Sequence, residues 1–216
     1  MSDLITLEVV DVDGALREAA DEAGDTRMDF FKKAAVGGGS LLAGGVLMGG
    51  LPTIASAARS KKQDVAILKF ALTLEYLESA FYNEAIKNKA LSGDVLAAAK
   101  IVQKHENTHV AALQSFVSVK KPKFDFKGTT ADQAKFLATA QVLEDTGVMA
   151  YSGQAPNILQ KKVLAAATSI LTVEARHASR FRSLNGVNFA PRAFDTSKTK
   201  AQILKAVKST GFIKSN

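Results

Sequence analysis

Only three histidines occur in this chain, and two of them follow a glutamate by three positions: Glu106-x-x-His109 and Glu174-x-x-His177. Both pairs fall inside apolar runs of helical period. The first run is Val102, Glu106, His109, Leu113, Phe116, and the second is Val163, Ala167, Ile170, Glu174, His177, Phe181, Leu184. Spacings of three and four put every member of such a run on one helix face, the face that packs inward. A carboxylate and an imidazole aimed twice into a core constrain the fold, because buried charge must be matched.

Two further seams carry one glutamate each. They are Leu68, Leu72, Glu75, Ser79, Tyr82 and Leu137, Ala140, Glu144, Val148, Tyr151. Thirty-one residues separate Glu75 from Glu106 and thirty separate Glu144 from Glu174. The chain therefore reads as two similar helical hairpins, each supplying one lone Glu and one Glu-x-x-His. In the first hairpin the midpoint falls in the ALSGD turn at 90–94, which brings Glu75 and Glu106 level. In the second it falls near Leu159, a few residues past the break expected at Gly153 and Pro156.

The helices are expected at about Lys62–Asn88, Gly93–Val119, Thr130–Gly153 and Asn157–Leu184, with a short fifth near Thr199–Lys208. Between the second and third lies KKPKFDFKGTT, whose Pro, Gly and alternating Phe mark extended chain. Eleven extended residues reach roughly 36 Å, the length of a 24-residue helix, so this stretch can cross the bundle end to end. The expected fold is all-α: a ferritin-like four-helix bundle over 58–184, with one long crossover between helices two and three. A tail follows over 185–216, carrying a short C-terminal helix.

Four buried carboxylates and two imidazoles are consistent with two divalent cations, whose charge cancels the four negatives while neutral imidazoles fill further positions. Hard oxygen with imidazole suits iron or manganese. The candidate metal ligands are Glu75, Glu106, His109, Glu144, Glu174 and His177, with Tyr82 and Tyr151 in a second layer around them. A competing reading begins at His105, since HENTH satisfies the zinc-protease pattern H-E-x-x-H. It leaves the second Glu-x-x-His without a purpose, where Val173 occupies the first-His position. His105 is expected to be an onlooker and a His105→Ala variant to keep its metal.

Residues 1–57 differ in character. They hold nine Asp or Glu against four Lys or Arg, leaving twelve acids and twenty-four bases for the remainder. A basic patch (Arg27, Lys32, Lys33), an uncharged run from Ala34 to Ala58 and the A-x-A signal Ala55-Ser56-Ala57 have the layout of an export leader. It resembles a twin-arginine leader, with Met28 where the second Arg would stand. The expected location is the periplasm or cell envelope, with a membrane anchor if the leader stays uncut. No basic stripe with interleaved aromatics appears, which argues against nucleic-acid binding. The chain has no Cys, which removes disulfides and thiolate metal sites.

The segments LKFALTLEYLESAFYNEA, KHENTHVAAL, VLEDTGVMAY, ILTVEARHASRFR and AFDTSKT resemble the ferritin-like domain family of exported bacterial proteins, which also includes plant desiccation-related proteins. The resemblance runs over roughly 63–213. It implies a dinuclear site at the six residues above. The expected activity is a di-iron oxidase or ferroxidase in oxidative or desiccation stress, acting on dioxygen or hydrogen peroxide. Two alternatives stand beside it: a pair of manganese ions disproportionating peroxide, as in manganese catalases with a similar ligand set, and a metal-stabilised stress protein without catalysis. A homo-oligomer is compatible with each.

Overall fold

The computed structural model describes residues 59–214. The leader expected over 1–57 lies outside the described residues. Five helices follow: α1 (Lys61–Asn88), α2 (Gly93–Gln114), α3 (Gln133–Gln154), α4 (Lys161–Leu184) and α5 (Lys200–Thr210). Among the described residues no helix is long and apolar enough to cross a membrane.

The side chains that bridge the helices fix their directions. On α1 and α2, Asn83 meets Gln103 at 2.9 Å, Ser79 meets Asn107 at 2.8 Å, and Tyr76 meets Gln114 at 2.9 Å. Rising numbers on one helix pair with falling numbers on the other, so the two are antiparallel. Tyr82 bonds Glu144 and Tyr151 bonds Glu75, making α3 antiparallel to α1. Asp145 with Arg182, and Gln141 with Asn185 at 2.9 Å, make α4 antiparallel to α3. Helices α2 and α3 thus run the same way, as one long crossover requires.

The crossover is pinned where it arrives. Thr130 donates to Glu84 at 2.6 Å, and the Ser92 N–H donates to the Gln133 side chain at 2.8 Å, tying the start of α3 to the α1–α2 turn. On the way, Phe124 pairs with Ile213 in an isolated antiparallel bridge, and Phe126 packs edge-on against Phe81 with ring centroids 5.3 Å apart. Helix α5, held by a Thr199/Gln202 capping box, buries Ile203 and Val207.

Helix boundaries depart from the expected ones where tertiary contacts intervene. Helix α2 ends at Gln114, because Ser115 turns its hydroxyl onto the Ala112 carbonyl and the chain leaves the helix before the Lys120-Lys121-Pro122 stretch. Gly153 does not break α3, which continues to Gln154. It is a close-approach position: a Cβ there would lie 2.0 Å from the Lys198 carbonyl oxygen. Residues Ala155–Asn157 form a 3-10 turn, and α4 starts only at Lys161. Asp64 of α1 accounts for that late start. Its carboxylate accepts from the backbone N–H groups of Leu159 at 2.8 Å and Gln160 at 2.9 Å, capping α4 from another helix. The turn spans 155–160, so the Leu159 midpoint lies within it and the second pair of glutamates can lie level.

Two apolar clusters fill the bundle. One gathers Phe81, Phe126, Phe136 and Phe181 toward the C-terminal end of α1. The other gathers Leu68, Leu72, Leu113, Ile158 and Val163 toward its N-terminal end. Glu75 stands on α1 between them.

Candidate metal centre

The four seams bring all six candidate ligands into one place. Glu75, Glu106, Glu144 and Glu174 have no exposed surface, and His109 and His177 retain only 8% and 5%. Within each Glu-x-x-His the imidazole lies one helical turn beyond its carboxylate, so both side chains project from the same stripe.

The residues form two groups. Glu75, Glu106, His109 and Glu174 offer ligand atoms that all lie within 4.8 Å of one another, and so do Glu106, Glu144, Glu174 and His177. Glu106 and Glu174 belong to both groups. Each group thus has one lone Glu, one His and two shared carboxylates, one shared carboxylate coming from each Glu-x-x-His.

Both imidazoles turn Nδ1 inward. His109 Nδ1 lies 3.3 Å from Glu75 Oε2, 3.3 Å from Glu106 Oε2 and 3.1 Å from Glu174 Oε1. His177 Nδ1 lies 3.2 Å from Glu106 Oε1 and 3.1 Å from Glu144 Oε2. One N–H cannot point at three oxygens at once. Four buried oxygens, Glu75 Oε2, Glu106 Oε1 and both of Glu174, accept no hydrogen bond. Buried polar atoms are otherwise almost always partnered, and unpartnered oxygens converging beside imidazole nitrogens are what cation coordination leaves when the protein is considered alone. The donor set fits two divalent ions.

Tyr82 and Tyr151 complete the arrangement. Tyr82 donates its hydroxyl hydrogen to Glu144 Oε1 and Tyr151 donates to Glu75 Oε1. Each tyrosine lies seven residues after the lone glutamate of its own helix and binds the lone glutamate of the other. Burial, then the adjacent Glu144 or Glu75, pushes both hydroxyls well above their usual range and keeps them neutral donors.

Without cations the cluster holds protons. Burial, followed by Glu75 for one and Glu106 for the other, pushes the Glu106 and Glu174 carboxyls well above the ordinary range. Burial alone would depress the His109 imidazole, but the carboxylates of Glu106, Glu174 and Glu75 facing it push it up to about 12. Burial also acts against an ionised Glu75, yet the adjacent His109 and Glu106 and the hydrogen bond from Tyr151 leave its carboxyl below the usual value. Opposed shifts within one buried cluster are a feature by which a candidate site is recognised.

Three further residues adjoin the centre. Glu78 is buried, and burial together with Glu174 and Glu144 pushes its carboxyl well above the ordinary range. Gly147 stands three residues after Glu144, as Glu78 stands three after Glu75, and its missing side chain leaves room for both acids. A Cβ there would lie 2.9 Å from Glu174 Oε2 and 3.4 Å from Glu78 Oε1. His105 lies outside both ligand groups, as its place in the sequence suggested, but its Nδ1 is 2.9 Å from His177 Nε2. The signal for Glu78 and Gly147 was their common offset from the lone glutamates.

Residues 63–187 match the family model described as the ferritin-like domain. Among solved structures, the chain is similar to the crystal structure of a hypothetical protein from Methanococcus jannaschii. That likeness has 13% identity and a TM-score of 0.50, covers 76% of this chain and 98% of the other, and concerns the fold. A comparison with curated proteins finds no match.

Proposed function

This chain belongs to the ferritin-like domain family, and from that premise we propose that its buried cluster holds two iron ions and works as an oxidase of the ferroxidase type. The observation that carries the reading is the sharing of Glu106 and Glu174 between two four-residue groups. Glu75 and His109 would hold one ion, Glu144 and His177 the other, and Glu106 and Glu174 would be available to both. The iron pair, when bound, supplies two electrons, one for each Fe(II) becoming Fe(III), which with two protons reduce dioxygen to hydrogen peroxide.

The chain's own residues set the conditions for this chemistry. Four carboxylates balance two dications, so the loaded centre is near neutral and tolerable between apolar clusters. Tyr82 and Tyr151 hold Glu144 and Glu75 by one oxygen each and leave the other free to ligate. The Phe81, Phe136 and Phe181 rings on one side and Leu72 and Leu113 on the other restrict water.

The test is metal content followed by turnover on the full-length chain. After anaerobic loading with Fe(II), two iron atoms per chain and oxygen consumption on exposure to air are expected. One zinc per chain and no iron oxidation would sink the proposal. Manganese suits the same donors, so two manganese ions per chain with oxygen evolved from hydrogen peroxide would assign the disproportionation reaction instead. A metal pair that turns over neither oxidant would leave the bundle a metal-stabilised structure.

A further inference from the structure

The two halves of the centre repeat each other's ligands, but the surroundings of the two imidazoles differ. Position 105, just before Glu106, is His, whereas position 173, just before Glu174, is Val. His105 is exposed on α2, and its Nδ1 lies 2.9 Å from His177 Nε2. The two rings are within 15° of parallel with centroids 5.1 Å apart, so with nitrogens this close they meet edge to edge. Among the described residues His109 forms no comparable bond through its outer nitrogen; its hydrogen-bond partner is Glu106, on the inner side.

The chemistry of imidazole gives this contact a direction. His177 turns Nδ1 toward Glu106 and Glu144, so Nδ1 is the nitrogen that would ligate. A neutral imidazole that offers the Nδ1 lone pair carries its hydrogen on Nε2. That Nε2–H then donates to His105 Nδ1, and the hydrogen of His105 sits on its own Nε2. Outer hydrogen bonds of this kind fix the tautomer and orientation of a ligating histidine and raise its basicity.

We propose that His105 is a positioning residue for His177, so that the metal position built on Glu144 and His177 depends on His105 while the position built on Glu75 and His109 does not. The inference rests on the dinuclear reading above. It gives HENTH a role that is neither zinc ligand nor onlooker: one histidine of the motif ligates and the other holds the histidine of a different helix. It also makes the two metal positions unequal in a bundle whose ligands are otherwise duplicated.

The experiment uses metal-free full-length chain titrated with Mn(II). Free ion is followed by its six-line paramagnetic resonance signal, and bound manganese is counted by elemental analysis. The unaltered chain is expected to bind two ions. His105→Ala should keep one ion at unchanged affinity and weaken the other by roughly 10–100-fold, the range for loss of an outer partner. The signal of an interacting manganese pair should give way to that of isolated ions at one equivalent. His105→Asn places an amide near the lost Nδ1 and should restore most of the second affinity. The proposal is overturned if His105→Ala leaves both affinities unchanged, or weakens both alike. If the unaltered chain binds fewer than two ions, the dinuclear reading fails and this inference with it, and the result is visible before any variant is made.

Discussion

Tyr151 of α3 hydrogen-bonds Glu75 of α1, and the exchange is returned seven residues away, where Tyr82 of α1 hydrogen-bonds Glu144 of α3. Each lone glutamate is therefore oriented by the opposite helix. Tyr151→Phe leaves one buried oxygen of Glu75 without its donor and should destabilise the metal-free chain by about 1–3 kcal/mol in urea unfolding. Tyr82→Phe should do the same through Glu144. No change in either variant would contradict the role given to these hydroxyls.

Removing a shared carboxylate should differ from removing a lone one. Glu106→Ala takes a donor from both four-residue groups and is expected to bring metal content from two ions per chain to nearly none. Glu75→Ala touches one group and should leave about one. Elemental analysis of the two variants side by side decides the matter, and equal losses would break the assignment of shared and lone ligands.

The metal-free chain should lose stability as pH rises. In the folded state His109, Glu106 and Glu174 all bind protons more tightly than when unfolded. Their contribution is complete below the unfolded values, about 6.5 for His and 4.5 for Glu, and is lost as pH climbs through the raised folded values. Thermal unfolding of metal-free protein should therefore fall between about pH 5 and pH 9. Metal loading replaces those protons and should flatten the curve. A metal-free curve that rises across the window would show that the cluster is not protonated in the way its surroundings imply.

Gly147→Ala tests the space beside Glu174. The added Cβ would meet Glu174 Oε2 at 2.9 Å, which is the end of a flexible side chain, so the metal-free fold should survive. Moving that carboxylate should weaken metal binding by on the order of tenfold, seen as faster loss of iron to a chelator. Equal retention by both proteins would mean that Glu174 has room to spare.

Asp64→Ala should cost about 2–3 kcal/mol by removing the charge-assisted cap of α4. For a chain of this size that is a fall of roughly 5–10 °C in Tm. Burial resists ionisation of Asp64, but hydrogen bonds with Leu159 and Gln160 win and hold its carboxyl below the usual 3.8. Its stabilisation is present above that value and fades as pH drops through the lower folded one. The gap between Asp64→Ala and the unaltered chain should accordingly close in acid, which calorimetry would register.

The sequence was most legible where local period and chemistry coincide. A glutamate inside an apolar helical stripe announces itself, which is why the four bundle helices and the convergence of Glu75, Glu106, Glu144 and Glu174 could be read from spacing. What could not be read depended on contacts between distant segments. Asp64 looks like an ordinary first-turn acid, because the N–H groups it caps lie 95 and 96 residues away. Gly153 resembles a helix breaker until Lys198 is seen against it. The partner of His105 is 72 residues distant, and no periodicity within α2 points to it.

The bridge between Phe124 and Ile213, flanked by hydrogen bonds from Asp125 to Phe212 and from Lys214 to Lys123, ties the crossover to a segment made much later in synthesis. All four bundle helices are translated before Ile213 exists. During that interval the crossover can be anchored by Thr130 and Phe126 but not by its strand partner, so a ribosome-bound chain would carry a paired set of hairpins with an unlatched strap. The latch can close only once Ile213 has left the ribosome, so the crossover gains its strand partner after the helices it connects have been made.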